Sequence, residues 1–180
     1  MLLLDPALQR IQRCDAWLCV TLNRALRYAA ILHFFRAVSW LGNGIFWYSL
    51  MLALLVQHGV QAAAPVLHMA LVGAVCTMVY KFLKRGTLRP RPYQSLQAVA
   101  AGAGVLDNFS FPSGHTLHAV AFTIVACSYY PLLAVPLALF ALLTAASRVV
   151  LGLHYPSDVL AGAAIGAAVA GASLSIPLGI

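Results

Sequence analysis

Residues 37–80 contain no Asp, Glu, Lys or Arg, and neither do residues 116–147 or 159–180. A helix rises about 1.5 Å per residue and a bilayer's hydrocarbon core is about 30 Å thick, so the first run is long enough to cross twice. In hydrocarbon the backbone must satisfy its own hydrogen bonds, which makes each crossing a helix. His58 and Gly59 supply a turn that divides the first run into spans near 40–57 and 61–80. Tyr129, Tyr130 and Pro131 break the second run into spans near 115–129 and 132–146. The last run gives one span near 157–174. The expected fold is therefore all-α: a polytopic membrane helical bundle of about five transmembrane helices, forming one domain over residues 1–180. Composition agrees, with 8% charged residues against about 25% in a soluble domain.

The first 36 residues are of another kind. Arg10, Arg13, Asp15, Arg24, Arg27 and Arg36 recur too often for hydrocarbon, while Leu8, Ile11, Trp17, Leu18, Leu22, Leu26, Ala30 and Ile31 form an apolar stripe at helical spacing. Residues 1–36 are read as an N-terminal amphipathic interfacial segment of one or two helices. Cys14, Cys19, Cys76 and Cys127 lack partners at metal-ligand spacing and are read as free thiols. The net charge of +7 is assigned to lipid phosphates, with no nucleic acid as partner.

Five crossings would bring residues 1–36, the polar loop 81–112 and the connection 148–158 to one side of the membrane. The other side receives turns near His58 and Tyr130 that hold no Lys or Arg. Ionisable groups at membrane depth are costly and usually mark function. Three segments carry them. KRGTLRPRP, residues 84–92, holds Lys84 and Arg91 seven apart, with Pro90 and Pro92 stiffening the chain; read plainly, it is a basic juxtamembrane anchor. FPSGHTLH, residues 111–118, leads into an apolar helix, where Ser113 or a neighbour caps the first turn and free N–H groups can hold an anion. In SRVVLGLHYPSD, residues 147–158, His154 and Asp158 stand four apart on one helix face, with Pro156 suited to the first turn. A carboxylate on one imidazole nitrogen fixes the tautomer and makes the other a better nucleophile. Arg148 adds a guanidinium fork suited to phosphate oxygens.

Brought together, these segments would supply cations, backbone amides near Ser113 and Gly114, two histidines and one orienting carboxylate. That is the inventory of a phosphoryl-transfer site, in which cations and amides stabilise charge on the equatorial oxygens. No metal and no cofactor are expected. The chain has no Glu and only Asp5, Asp15, Asp107 and Asp158, whereas two-metal hydrolysis needs several converging oxygen ligands.

Lys84-x6-Arg91-Pro92, Pro112-Ser113-Gly114-His115 and Ser147-Arg148-x5-His154-x3-Asp158 resemble, in order, the three signature motifs of the type 2 phosphatidate phosphatase family, membrane relatives of the vanadium haloperoxidases. The resemblance covers residues 84–158. It implies an all-helical membrane phosphatase in which His154 is the nucleophile, Asp158 its orienting partner and His115 the acid for the leaving group. It makes Lys84, Arg91, Ser113, Gly114 and Arg148 the phosphate-binding groups. Arg89-Pro90 is a second Arg-Pro, but only Arg91-Pro92 has the family spacing from Lys84. His118 lies outside the signature; it either packs between helices or lines the lipid entrance.

The expected substrate is a membrane lipid phosphate or diphosphate; undecaprenyl diphosphate, phosphatidylglycerol phosphate, phosphatidate and lipid A phosphates are the candidates the resemblance offers. The expected partners are that substrate and the lipid bilayer, with no protein partner. The expected location is a bacterial inner membrane. The arginines of residues 1–36 point the site to the cytoplasm by the positive-inside rule. The rival class is a non-catalytic lipid-phosphate binding or transport protein, which has no need of a His–Asp pair and a second histidine.

Overall fold

The computed structural model describes residues 6–104 and 107–176. Among them every regular element is helical: α1 (Pro6–Asn23), α2 (Ala29–Trp40), α3 (Phe46–His58), α4 (Ala63–Thr87), α5 (Pro92–Ser95), α6 (Gly114–Tyr129), α7 (Ala134–Val150) and α8 (Pro156–Leu174). The five helices read from the sequence are α3, α4, α6, α7 and α8. Three described stretches are long and apolar enough to cross a membrane: Ala29–Ser95, Pro131–Val150 and Pro156–Leu174. The first folds back on itself at Gly59, whose φ of 58° suits a residue without Cβ. The protein is a multi-pass membrane protein.

The central helix is α6, which packs on α4, α7 and α8. Its buried residues, among them Leu117, Ala119, Ala121, Phe122 and Val125, fall on every side, as expected of a helix enclosed by neighbours. At 16 residues it is only about 24 Å long. The close approach of α8 depends on Gly162, where a Cβ would stand 2.5 Å from the Ser113 carbonyl oxygen. Gly162 and Gly166 thus form an intramolecular contact with α6. Trp47, Phe46, Phe140 and Phe122 stack where α3 meets α6 and α7.

Two sequence boundaries move. Within the segment read as interfacial, residues 1–5 lie outside the described residues, and α1 leaves Leu8, Ile11, Trp17 and Leu22 exposed. Its other face is anchored: Asn23 donates to the carbonyls of Ala100 and Val150, both at 2.9 Å. Residues 29–36, however, belong to α2, which is joined to α3 through a kinked turn (Leu41–Ile45) with Gly44 at φ 114°. Nothing in the sequence breaks the helix at residue 37, so α2 leads the first crossing. The loop read over 81–112 starts late for a similar reason. α4 continues through Thr87, ends at Leu88 in the left-handed region (φ 48°), and meets Pro90, which cannot continue a helix. Lys84 therefore projects from a helical last turn, where cations suit the helix dipole.

Candidate active site

The segments carrying Lys84, Arg91, His115, Arg148 and His154 meet around one cavity of about 490 Å³. Lys84 comes from the end of α4 and Arg91 from the cap of α5, where its N–H is held by Gln94 at 2.9 Å. Gly114 and His115 open α6, Arg148 ends α7, and His154 lies in the turn before α8. Asn43, Thr77, Tyr80, Asp107 and His118 add to the polar lining, and Trp47, Met51, Ala70, Ala74 and Phe122 carry the wall down into the bundle.

His154 is buried, and its Nε2 faces Arg91 Nη1 at 3.2 Å. A guanidinium can only donate, so Nε2 presents its lone pair and the ring proton sits on Nδ1. Burial first, then the charges of Arg148, Arg91 and Lys84, hold the His154 pKa well below its ordinary value. The imidazole is thus kept neutral, the form that can attack. Asp158 stands behind it with Oδ2 at 3.8 Å from Nδ1, beyond hydrogen-bond reach. Its oxygens instead accept from Arg89 Nη1 at 2.6 Å and from the Tyr155 N–H at 2.8 Å. The second contact caps α8, with Pro156 in the first turn. Asp158 is therefore an electrostatic neighbour of His154, and Nδ1 makes no well-formed hydrogen bond, with only the Ser110 backbone loosely beside it.

The two Arg-Pro arginines part company. Arg91 faces the cavity, whereas Arg89 clamps Asp158, Asp15 (2.8 Å) and Ser157 (2.8 Å), tying α1 to the start of α8. Arg148 is buried; its guanidinium bonds Ser39 of α2, and its Nε has no partner. Ser113 does not line the cavity. Its hydroxyl meets Thr116 Oγ1 at 3.0 Å and caps the α6 N-terminus, which orients the amides that follow.

His115 Nε2 bonds Asn43 Oδ1, and an amide oxygen there calls for a proton on that nitrogen. Asn43 sits at the kink between α2 and α3, beside Gly44, whose φ of 114° suits a residue without Cβ. His118 has both nitrogens occupied, Nδ1 by the Gly114 carbonyl at 2.8 Å and Nε2 by Thr77 Oγ1 at 3.1 Å. It ties α6 to α4.

Sequence reasoning missed Ser39 and Asn43 as members of this site, and Asp107 as the partner of two of its cations. Asp107 accepts from Lys84 Nζ at 2.7 Å and from Arg91 Nη2 at 2.8 Å. Burial raises its pKa, but the two cations outweigh burial and hold it below the ordinary carboxylate value. The available signals were an isolated Asn between glycines and one carboxylate among four; Ser39 gave none.

Buried cations, oriented amides and a neutral imidazole around one cavity can bind a phosphate group and attack it. Undecaprenyl-diphosphatase BcrC of Bacillus subtilis is 32% identical over 62% of this chain and 57% of its own length. Lipid A 1-phosphatase of Rhizobium johnstonii is 33% identical over 59% and 48%. The chain thus spans about half the length of these curated relatives. Among solved structures, the PAP2 type phosphatidylglycerolphosphate phosphatase of Bacillus subtilis superposes with a TM-score of 0.77, covering 92% of this chain and 85% of its own at 24% identity. Aquifex aeolicus LpxE gives 0.71, covering 90% and 95% at 27% identity. The model of the PAP2 superfamily matches residues 62–178, most of the chain and all three motif segments, and the protein belongs to that superfamily.

Proposed function

We infer that this protein is a metal-independent phosphatase of membrane lipid phosphates or diphosphates. The observation that carries this reading is Arg148. It is a cation 3% exposed, hydrogen-bonded to a serine, with an unpartnered Nε, on the wall shared with His154 and Arg91. A buried cation is costly unless an anion meets it, and a phosphate group in this cavity is such an anion.

In the proposed reaction, Lys84, Arg91 and Arg148 hold the phosphate oxygens, with the Gly114 amide at the α6 N-terminus as a further donor. His154 Nε2 attacks phosphorus in line, its bond forming as the bond to the leaving oxygen breaks. His115, entering as the imidazolium, gives that oxygen a ring proton and becomes neutral, and Asn43 orients the ring. The imidazolium half of the phosphohistidine is stabilised by Asp158. Water then gives a proton to the neutral His115 and attacks phosphorus, the P–Nε2 bond breaks, and His154 and inorganic phosphate are released. The cations take the part metal ions play elsewhere; among the described residues, no three His, Cys, Asp or Glu side chains are grouped to hold an ion.

The apolar wall below the polar end supports an amphiphilic substrate with its head group at the site and its tail along α3 and α4. The names of the two curated relatives favour lipid-linked phosphates and diphosphates. Undecaprenyl diphosphate, phosphatidylglycerol phosphate, phosphatidate and lipid A phosphates are the compounds to assay. The proposed location is a bacterial inner membrane with the site on the cytoplasmic face, supported by Arg10, Arg13, Arg24 and Arg27, which stand outside the cavity lining. Labelling of single cysteines introduced at residues 93–104 of intact cells tests that orientation. For the reaction, purified protein should release phosphate from at least one of these lipids in excess EDTA and be blocked by vanadate, a mimic of the five-coordinate transition state. Loss of turnover in chelator would contradict the reading.

A further inference from the structure

Two of the three cations at this site already share an anion. Lys84 Nζ reaches both oxygens of Asp107, at 2.7 and 2.8 Å, and Arg91 Nη2 reaches Oδ1 at 2.8 Å. The surrounding backbone reinforces the arrangement. Arg91 Nε donates to the Asp107 carbonyl at 3.1 Å, Lys84 Nζ to the Phe109 carbonyl at 2.9 Å, and the Phe109 N–H to Asp107 Oδ1 at 3.2 Å. The Lys84 and Arg91 side chains are 8% and 2% exposed, whereas that of Asp107 is 37% exposed and lines the cavity. The carboxylate can therefore leave the cations and remain solvated, while the cations cannot follow it. Arg148 takes no part in this bridge, because its hydrogen bond goes to Ser39.

A site at head-group level faces a chemical problem. The surrounding bilayer is made of phosphodiester head groups with one phosphate charge each, in large excess over any monoester. Buried cations without an occupant would collect them. We propose that Asp107 is a specificity determinant, an internal competitor that holds Lys84 and Arg91 against singly charged phosphodiesters and yields to a phosphate monoester or diphosphate. A tethered carboxylate is present at high effective concentration and matches a phosphodiester charge for charge, so that exchange gains nothing. A terminal phosphate carries about −1.5 to −2 at pH 7 and three strong acceptor oxygens. It can replace the carboxylate and engage Arg148 as well.

This proposal rests on the phosphatase reading and deepens it. The test uses the full chain in mixed micelles, with whichever of phosphatidate and undecaprenyl diphosphate the wild type hydrolyses faster. Turnover is measured as phosphatidylglycerol, a phosphodiester, is added at fixed substrate mole fraction. Asp107→Asn and Asp107→Ser should retain turnover, while phosphatidylglycerol becomes a competitive inhibitor about fivefold stronger than in wild type, the size of one weak charge competition. Unchanged or weaker inhibition in active variants would overturn the proposal alone. Inactivity of both variants would also overturn it, since a competitor is dispensable for turnover. A wild type inert toward every lipid phosphate would overturn the phosphatase reading and this one with it.

Discussion

At the uncharged end of the bundle, His68 of α4 is buried with both ring nitrogens bonded at 2.9 Å, Nδ1 to the Tyr129 hydroxyl of α6 and Nε2 to Ser173 of α8. At the charged end His154 is equally buried, yet Nδ1 makes no well-formed hydrogen bond and Nε2 shares a guanidinium. Both histidines sit among helices of the same apolar sequence. The first is satisfied and joins three helices. The second is held neutral by cations and left with a lone pair to spend. A buried polar group in a membrane bundle is thus part of the scaffold when its partners are complete, and a candidate for chemistry when the surrounding fold leaves it short.

The largest effect should come from the incomplete end. His154→Ala is expected to lower the rate of phosphate release by at least about a thousandfold, as loss of a nucleophile does, while binding of the lipid phosphate persists. Comparable loss of rate in a His68 variant would erase the distinction between the two ends. The next effect is on pH dependence. In the proposed reaction His154 acts unprotonated, and burial with Arg148, Arg91 and Lys84 lowers its pKa. The acid limb of turnover should therefore fall well below pH 6.5, with activity lost only as pH drops through that lowered value. An acid midpoint at or above 6.5 would remove the electrostatic argument. The same shift favours the fold above pH 6.5, a contribution lost as pH falls. The smallest effect on activity belongs to His68→Leu. Turnover should stay within about threefold of wild type, while two lost hydrogen bonds lower stability by about 1–3 kcal/mol, read as a reduced Tm in detergent.

The sequence disclosed these two ends unequally. The crossings were legible because charge is excluded from hydrocarbon, and Gly59 and Pro131 mark turns in otherwise unbroken apolar runs. Lys84, Arg91, His115, Arg148 and His154 were legible because their residue types and spacings are informative without coordinates. The support around them was less so. The spacing of His154 and Asp158 predicts a direct hydrogen bond, but Asp158 is drawn by Arg89 and the Tyr155 N–H to 3.8 Å from the ring. Ser39 and Asn43 reach Arg148 and His115 from helices more than seventy positions away, a relation no local pattern encodes. Asp107 meets Lys84 only because the chain after α5 returns across the end of α4. At the neutral end, His68, Tyr129 and Ser173 are single polar residues in three separate runs, and only the packing of α4, α6 and α8 reveals them as one cluster.

The central claim is that the lone pair left on His154 is spent on phosphorus. Its most direct test is rapid acid-free quenching of the purified protein with a ³²P-labelled lipid phosphate, followed by peptide mapping of the labelled chain. The account predicts an acid-labile, base-stable phosphoryl group on His154 that forms within one turnover and is absent from His154→Ala. A burst of free phosphate with no label on the protein, or with label on another residue, would contradict it.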